Sequence, residues 1–330
     1  MSAGPDTVAH GEAISRRFSA RGVFVHALGI GTFYALVFIF FAVRSPHFLE
    51  YSNFTAILAN VAVLGVVSIG QALTIISGGF DVSVSGTLAL GSVTYAYLVN
   101  DGLNWPLATM LAILTGAAVG LVNGFVIARL GVNPLITTLA TLSIAGGLAY
   151  TITGGLTIVI DSDSAAVWGD RAFRDIQWGG VAFAILAVVA FLVLRYTVYG
   201  RALYALGGNR EASRLAGIRV GFVTASVYVI CGACAAFAGV IVASQLFAGT
   251  PTVGVDANLR SITAVILGGA ALTGGVGGIP GTLLGVLLLG TITNGMALMQ
   301  VQAFYQQIAT GVVLLLAVGF GSLRARIART

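Results

Sequence analysis

Residues 51–80 read YSNFTAILANVAVLGVVSIGQALTIISGGF, thirty consecutive positions without a charged side chain. A helix needs about 20 mostly apolar residues to cross the hydrocarbon core of a bilayer, so this stretch can span one with residues to spare. The pattern continues on both sides. Uncharged runs cover 22–43 (22 residues), 82–100 (19), 102–128 (27), 130–160 (31), 176–194 (19) and 220–255 (36), and 261–323 is a run of 63, room for three spans. The reading is an all-α membrane protein, a polytopic bundle of about ten transmembrane helices.

Composition agrees. Of the 330 residues 58% are hydrophobic and only 8% charged, against roughly 25% charged in a soluble domain, which excludes a soluble protein. Glycine numbers 45 and proline 6, a load that suits closely packed membrane helices.

All 16 basic residues are Arg, and they cluster. Arg16, Arg17 and Arg21 precede the first span, five Arg lie within 195–219, and Arg324, Arg326 and Arg329 follow the last. Basic residues flanking spans mark the cytoplasmic side. Six spans between the first two clusters and four between the last two satisfy that rule, so both termini are expected in the cytoplasm. The domains then read as an N-terminal tail over 1–21, a membrane domain over 22–323 and a C-terminal tail over 324–330, with an inner loop at 195–221 and an outer loop at 154–180. Trp105, Trp168 and Trp178 fall in or beside outer loops, as an interfacial belt would place them. Because the Arg sit beside apolar runs, the net charge of +5 points to membrane lipid and away from nucleic acid.

Several chemistries are missing. Without Lys there is no phosphate-gripping P-loop. His10, His26 and His47 have no metal-ligand spacing, so no metal or cofactor is expected. No nucleophile and base pair up within the apolar runs, so no catalytic residue is assigned. Cys231-x-x-Cys234 sits in an apolar helix among Gly232, Ala233, Ala235 and Ala236, where small residues favour helix packing.

Two glycine-rich interruptions break the apolar runs: Gly78–Gly86 (GGFDVSVSG), and Gly268-Gly269 followed by 274–281 (GGVGGIPG). Broken helices at membrane depth usually line a cavity. Asp81 admits two readings: with Ser83 and Ser85 it caps the next helix, or it meets the solute directly. Gln71, Asn123 and Asn294, with Asn60 behind them, are the uncharged polar candidates for a path. The pairs Asn123-Gly124 and Asn294-Gly295 hint at an internal repeat.

In the inner loop, Asn209 is expected to cap a short helix, Arg210, Glu211, Ala212, Ser213 and Arg214, that Gly217 ends. The helix either lies on anionic headgroups or docks on another protein.

Four stretches, 78–86, 120–143 (GLVNGFVIARLGVNPLITTLATLS), 199–218 (YGRALYALGGNREASRLAGI) and 264–285 (AVILGGAALTGGVGGIPGTLLG), resemble in order the inner-membrane permease subunits of bacterial ribose-type ABC importers. The resemblance implies a multi-pass permease of the bacterial inner membrane that catalyses no covalent step. It implies partners too: separate ATP-binding-cassette ATPase subunits docked at Asn209–Arg214 and Gly217, a second permease copy forming a homodimer, and a periplasmic solute-binding protein. The solute would be a monosaccharide or similar small polar molecule. The chain departs from the family's pattern at Asn258-Leu259-Arg260, where two acids are usual. Two alternatives stand beside this reading: a gradient-driven secondary carrier or facilitator, and the same permease role with an autoinducer or nucleoside-like solute.

Overall fold

The computed structural model describes residues 20–315 other than 174, 303 and 314. Of the tail over 1–21 only the last two residues fall within that range, and the tail over 324–330 lies outside it. The helices are α1 (Ala20–Arg44), α2 (Tyr51–Ile76), α3 (Val84–Asn100), α4 (Trp105–Arg129), α5 (Pro134–Thr153), α6 (Trp178–Tyr196), α7 (Val198–Gly208), α8 (Arg210–Leu215), α9 (Val220–Leu246), α10 (Ala257–Leu267) and α11 (Ile279–Leu298). Residues 304–313 are helical as well. Among the described residues, α2, α4, α5, α6, α9 and α11 are each long and apolar enough to cross a membrane.

Local chemistry sets several boundaries. At the start of α4 the Asn104 side chain accepts from Leu107 N, and at the start of α5 the Asn133 side chain accepts from Leu135 N, each with a proline in the first turn where its missing N–H costs nothing. Gly154 ends α5 in the left-handed region.

α2 and α9 form the centre and are the most buried of the six, whereas α4, α5 and α6 keep most of their surface open. The open surface is apolar: Leu114, Leu121, Phe125, Ile136, Ile144, Ile185, Val188 and Leu192 are exposed. On a soluble monomer so extended an apolar surface would promote association; on a helical membrane protein it is the face that meets lipid. Glycine lets the central helices close. Gly116, Gly120 and Gly124 recur every four residues along α4, and a Cβ at any of them would run into the α9 backbone near Gly232, Tyr228 and Ala225. Gly91 of α3 and Gly239 of α9 make the same approach between those two helices.

One end of the bundle carries two small antiparallel pairs. β1 (Ile158–Val159) joins β4 (Ala248–Gly249), and β2 (Arg171–Phe173) folds back on β3 (Ile176–Gln177). Trp168 packs there edge-on between Trp105 and Phe237, at 6.0 and 5.0 Å. α7 and α8 occupy the opposite end.

The uncharged run over 261–323 departs from three even spans. Its first helix, α10, is only 11 residues long and gives way to a non-helical segment over 268–278. Gly269, Gly274, Gly275 and Gly277 all take positive φ, a conformation that cannot continue a right-handed helix. Hydrophobicity alone does not register such a break.

Candidate coupling and transport site

The first interruption closes on itself. Gly78 turns the chain at φ +85°, Gly79 N donates to Thr74 O at 2.8 Å, and the Tyr228 hydroxyl of α9 donates to Phe80 O at 3.2 Å. Asp81 then accepts at Oδ1 from Ser83 N at 2.9 Å and from the Ser83 hydroxyl at 2.5 Å. This is a turn ahead of α3 rather than the expected cap, since Ser83 stands at the N-cap with no side-chain bond to the first helical turn.

A buried polar chain runs on from there. Asn123 of α4 donates its amide to Ser83 Oγ at 2.9 Å and accepts at Oδ1 from the Thr141 hydroxyl of α5 at 2.6 Å. The Cys231 thiol of α9 approaches Gln71 Oε1 at 3.8 Å. Gln71, Asp81 and Asn123 are completely buried. Three of the five polar positions singled out in the sequence therefore line one interior seam. Ser83, Thr141 and Cys231 complete it; in the sequence Ser83 stands out beside Asp81 and Cys231 in its Cys-x-x-Cys, but neither as a member of a shared seam, and Thr141 carries no such signal.

The other two lie apart. Asn60 is exposed on the N-terminal half of α2. Asn294 is buried on α11 with Oδ1 unpaired, beside Gly295, whose missing Cβ makes room for the Phe41 ring. Gly124 meets the α9 backbone at Ala225 instead, so the two Asn-Gly pairs have unlike immediate neighbours.

Because Asn123 bridges two helices inside an apolar interior, Asn123→Ala strips partners from Ser83 and Thr141. It is expected to destabilise the purified protein by about 1–3 kcal/mol, whereas Asn60→Ala stays within about 0.5 kcal/mol. Thermal unfolding in detergent separates the two.

The two glycine interruptions meet. Gly275 N donates to Ile76 O at 2.8 Å, and a Cβ on Gly274 would lie 2.7 Å from the Gly78 Cα. The end of α7 wedges into the same spot: a Cβ on Gly207 would overlap Ile76 O and Gly275 N, and the Tyr204 hydroxyl donates to Gly277 O at 2.9 Å. Three segments distant in sequence touch mainly through backbone, with the Tyr204 hydroxyl as the side-chain link. The sequence marks each glycine cluster but not their meeting.

α7 leads straight into α8. The Asn209 side chain accepts from Ala212 N at 2.9 Å, as the sequence predicts, and Gly217 reverses the chain at φ +81°. Glu211 and Arg214 pair in a forked contact, Arg214 Nε to Oε2 at 3.1 Å and Nη2 to Oε1 at 2.6 Å. That hydrogen bonding holds the Glu211 carboxyl below its usual pKa and raises that of Arg214. Only Ser213 is buried; Arg210, Glu211, Ala212 and Arg214 are exposed. Beside them Leu215 is 76% exposed, an apolar knob next to a charge pair that sequence reasoning passed over. At the far end, Arg260 of α10 pairs with Asp256 at 3.6 Å and donates to Thr293, so this departure from the family pattern is tied down within the chain.

Among the described residues no group of His, Cys, Asp and Glu is placed to hold a metal. The chain is 36% identical to the ribose import permease protein RbsC of Bacillus subtilis (strain 168) over 291 residues, 88% of this chain and 90% of that one. It is likewise 36% identical to the L-arabinose transport system permease protein AraH of Escherichia coli (strain K12), over 92% of both chains. No solved structure matches it. The family described as the permease component of the branched-chain amino acid transport system matches residues 53–318, and the chain belongs to that family.

Proposed function

We propose that this chain is the membrane permease subunit of an ABC importer for a monosaccharide, working in the bacterial inner membrane with ATPase subunits, a second copy of itself and a periplasmic binding protein. The observation that carries the proposal is the exposed α8 with its Glu211–Arg214 pair and its bare Leu215, in a chain related over most of its length to ribose and arabinose permeases. In this reading the polypeptide crosses the membrane ten times with both termini in the cytoplasm. α10 and the segment after it make one crossing between them, and the helix over 304–313 belongs to the last.

The mechanism follows from the junction. Closure of the ATPases on nucleotide moves α8; α7 carries the motion to Gly207; and contact there with Ile76 and Gly275 shifts both broken segments at once. The buried seam of Gln71, Asp81 and Asn123 holds the first break in register with α4, α5 and α9 through the stroke. Of the five polar candidates, Asn60 is assigned to the path because it is exposed. Asn294, with its unpaired carbonyl, faces the path only when α11 shifts. The chain itself performs no covalent chemistry.

The solute is identified through the binding protein made alongside this chain. Pentoses and hexoses should raise its melting temperature in a thermal-shift screen. A response to nucleosides or autoinducers alone would move the solute class while leaving the permease role in place.

A further inference from the structure

At the end of the bundle bearing the tryptophans, a cavity of about 760 Å³ opens between the first turns of α2 and the β2–β3 hairpin. Its volume lies in the range of small-molecule sites, roughly 300–1,000 Å³. One wall is Thr55, Ala56 and Ala59 of α2, and the other includes Asp170, Arg171 and Gln177. The hairpin wall is held in place: Gln245 of α9 donates to Gln177 Oε1 at 2.7 Å, and Trp178 N donates to Asp170 O at 3.0 Å.

The α2 wall continues inward. Asn60 lies one turn beyond Ala56 on the same helix face, exposed and without a hydrogen bond among the described residues. A bare amide on a spanning helix is costly against hydrocarbon and is tolerated where it borders water. Small residues at Ala56 and Ala59 leave room beside it. Cavity and amide thus lie along one face of α2, from its first turn to Asn60.

We propose that this cavity is the outer mouth of the solute path and receives a neutral, polyhydroxylated molecule. The Thr55 hydroxyl donates to Ser52 O at 2.8 Å and keeps its oxygen as an acceptor, the Gln177 amide nitrogen remains a donor, and Asn60 offers an amide that both donates and accepts. Arg171 is already paired with Asp175 at 2.6 Å, so among the described lining residues no cation stands unopposed to favour an anionic solute. The inference rests on the permease reading above.

The test uses the importer assembled with its ATPase and binding protein in proteoliposomes. Both native cysteines are buried, so a membrane-impermeant maleimide reports on introduced thiols. Ala59→Cys and Asn60→Cys are expected to label from outside at least tenfold faster than Ile185→Cys, a residue exposed on the lipid-facing side of α6. Labelled Ala59→Cys should lose at least 90% of ATP-driven uptake of radiolabelled ribose or arabinose while retaining its ATPase subunits. Labelling no faster than at Ile185→Cys, or full uptake after complete labelling, overturns the proposal. Failure of the unmodified complex to take up either sugar would strike the monosaccharide assignment of the permease reading instead, and the labelling rates would then decide the cavity alone.

Discussion

Gly207→Ala should abolish ATP-driven uptake, while Gly208→Ala, one residue on, should leave it near the wild-type rate. The two glycines share a helix end and differ in what surrounds them. A Cβ at 207 lands on Ile76 O and Gly275 N, whereas one at 208 meets nothing within 4 Å. At 207 neither neighbour is the tip of a flexible side chain, so backbone must part, at a cost of about 1–3 kcal/mol or more. At 208 alanine also suits the last helical turn better than glycine, by up to about 1 kcal/mol. A gentler substitution guards against simple misfolding. Tyr204→Phe removes only the hydroxyl that donates to Gly277 O and should lower uptake severalfold with unchanged expression. In both variants ATPase subunits remain bound, and stimulation of ATP hydrolysis by loaded binding protein falls in step with uptake. Normal uptake by Gly207→Ala would show that α7 does not drive the broken segments.

The second large effect lies at α8. Exchanging the charges, Glu211→Arg with Arg214→Glu, keeps an ion pair at the same spacing and leaves the Asn209 cap untouched, so the helix persists. The exchange costs only a few tenths of a kcal/mol against the helix dipole, and the exposed pair adds little to folding in any case. The face offered to a partner is inverted, however, and like charges set opposite each other across an interface are strongly disfavoured. Retention of ATPase subunits on the purified permease should fall at least tenfold, and uptake with it. Leu215→Asp should act in the same direction by placing a charge where an apolar contact is expected. If the exchanged variant retains its ATPase and transports normally, α8 is not the docking helix.

The membrane fold was legible because a span is a local property. Runs of uncharged residues located α2, α4, α5, α6 and α9 well. The run over 261–323 was harder, since a left-handed glycine is as apolar to a counting window as a helical one. The cap at Asn209 and the reversal at Gly217 were readable because both depend on neighbours within four residues. Interior contacts were not. Asn123 signals a buried amide, but its partners Ser83 and Thr141 come from two other segments and resemble many other hydroxyls in the chain. Gly207, Gly274 and Gly78 have no side chains to suggest a partner, and what joins them is the close approach of three backbones. Asn60 and Asn123 look alike in sequence; only the structure puts one at the surface and the other in a sealed seam.

The central claim is that this chain moves solute only with energy delivered through α8. Reconstituted alone into sealed liposomes, the purified permease should accumulate no ribose or arabinose against a gradient, under an imposed proton or sodium gradient or with ATP present. With ATPase subunits and loaded binding protein added, accumulation should appear and require ATP. Concentrative uptake by the chain alone, driven by an ion gradient and indifferent to ATP, would contradict the account.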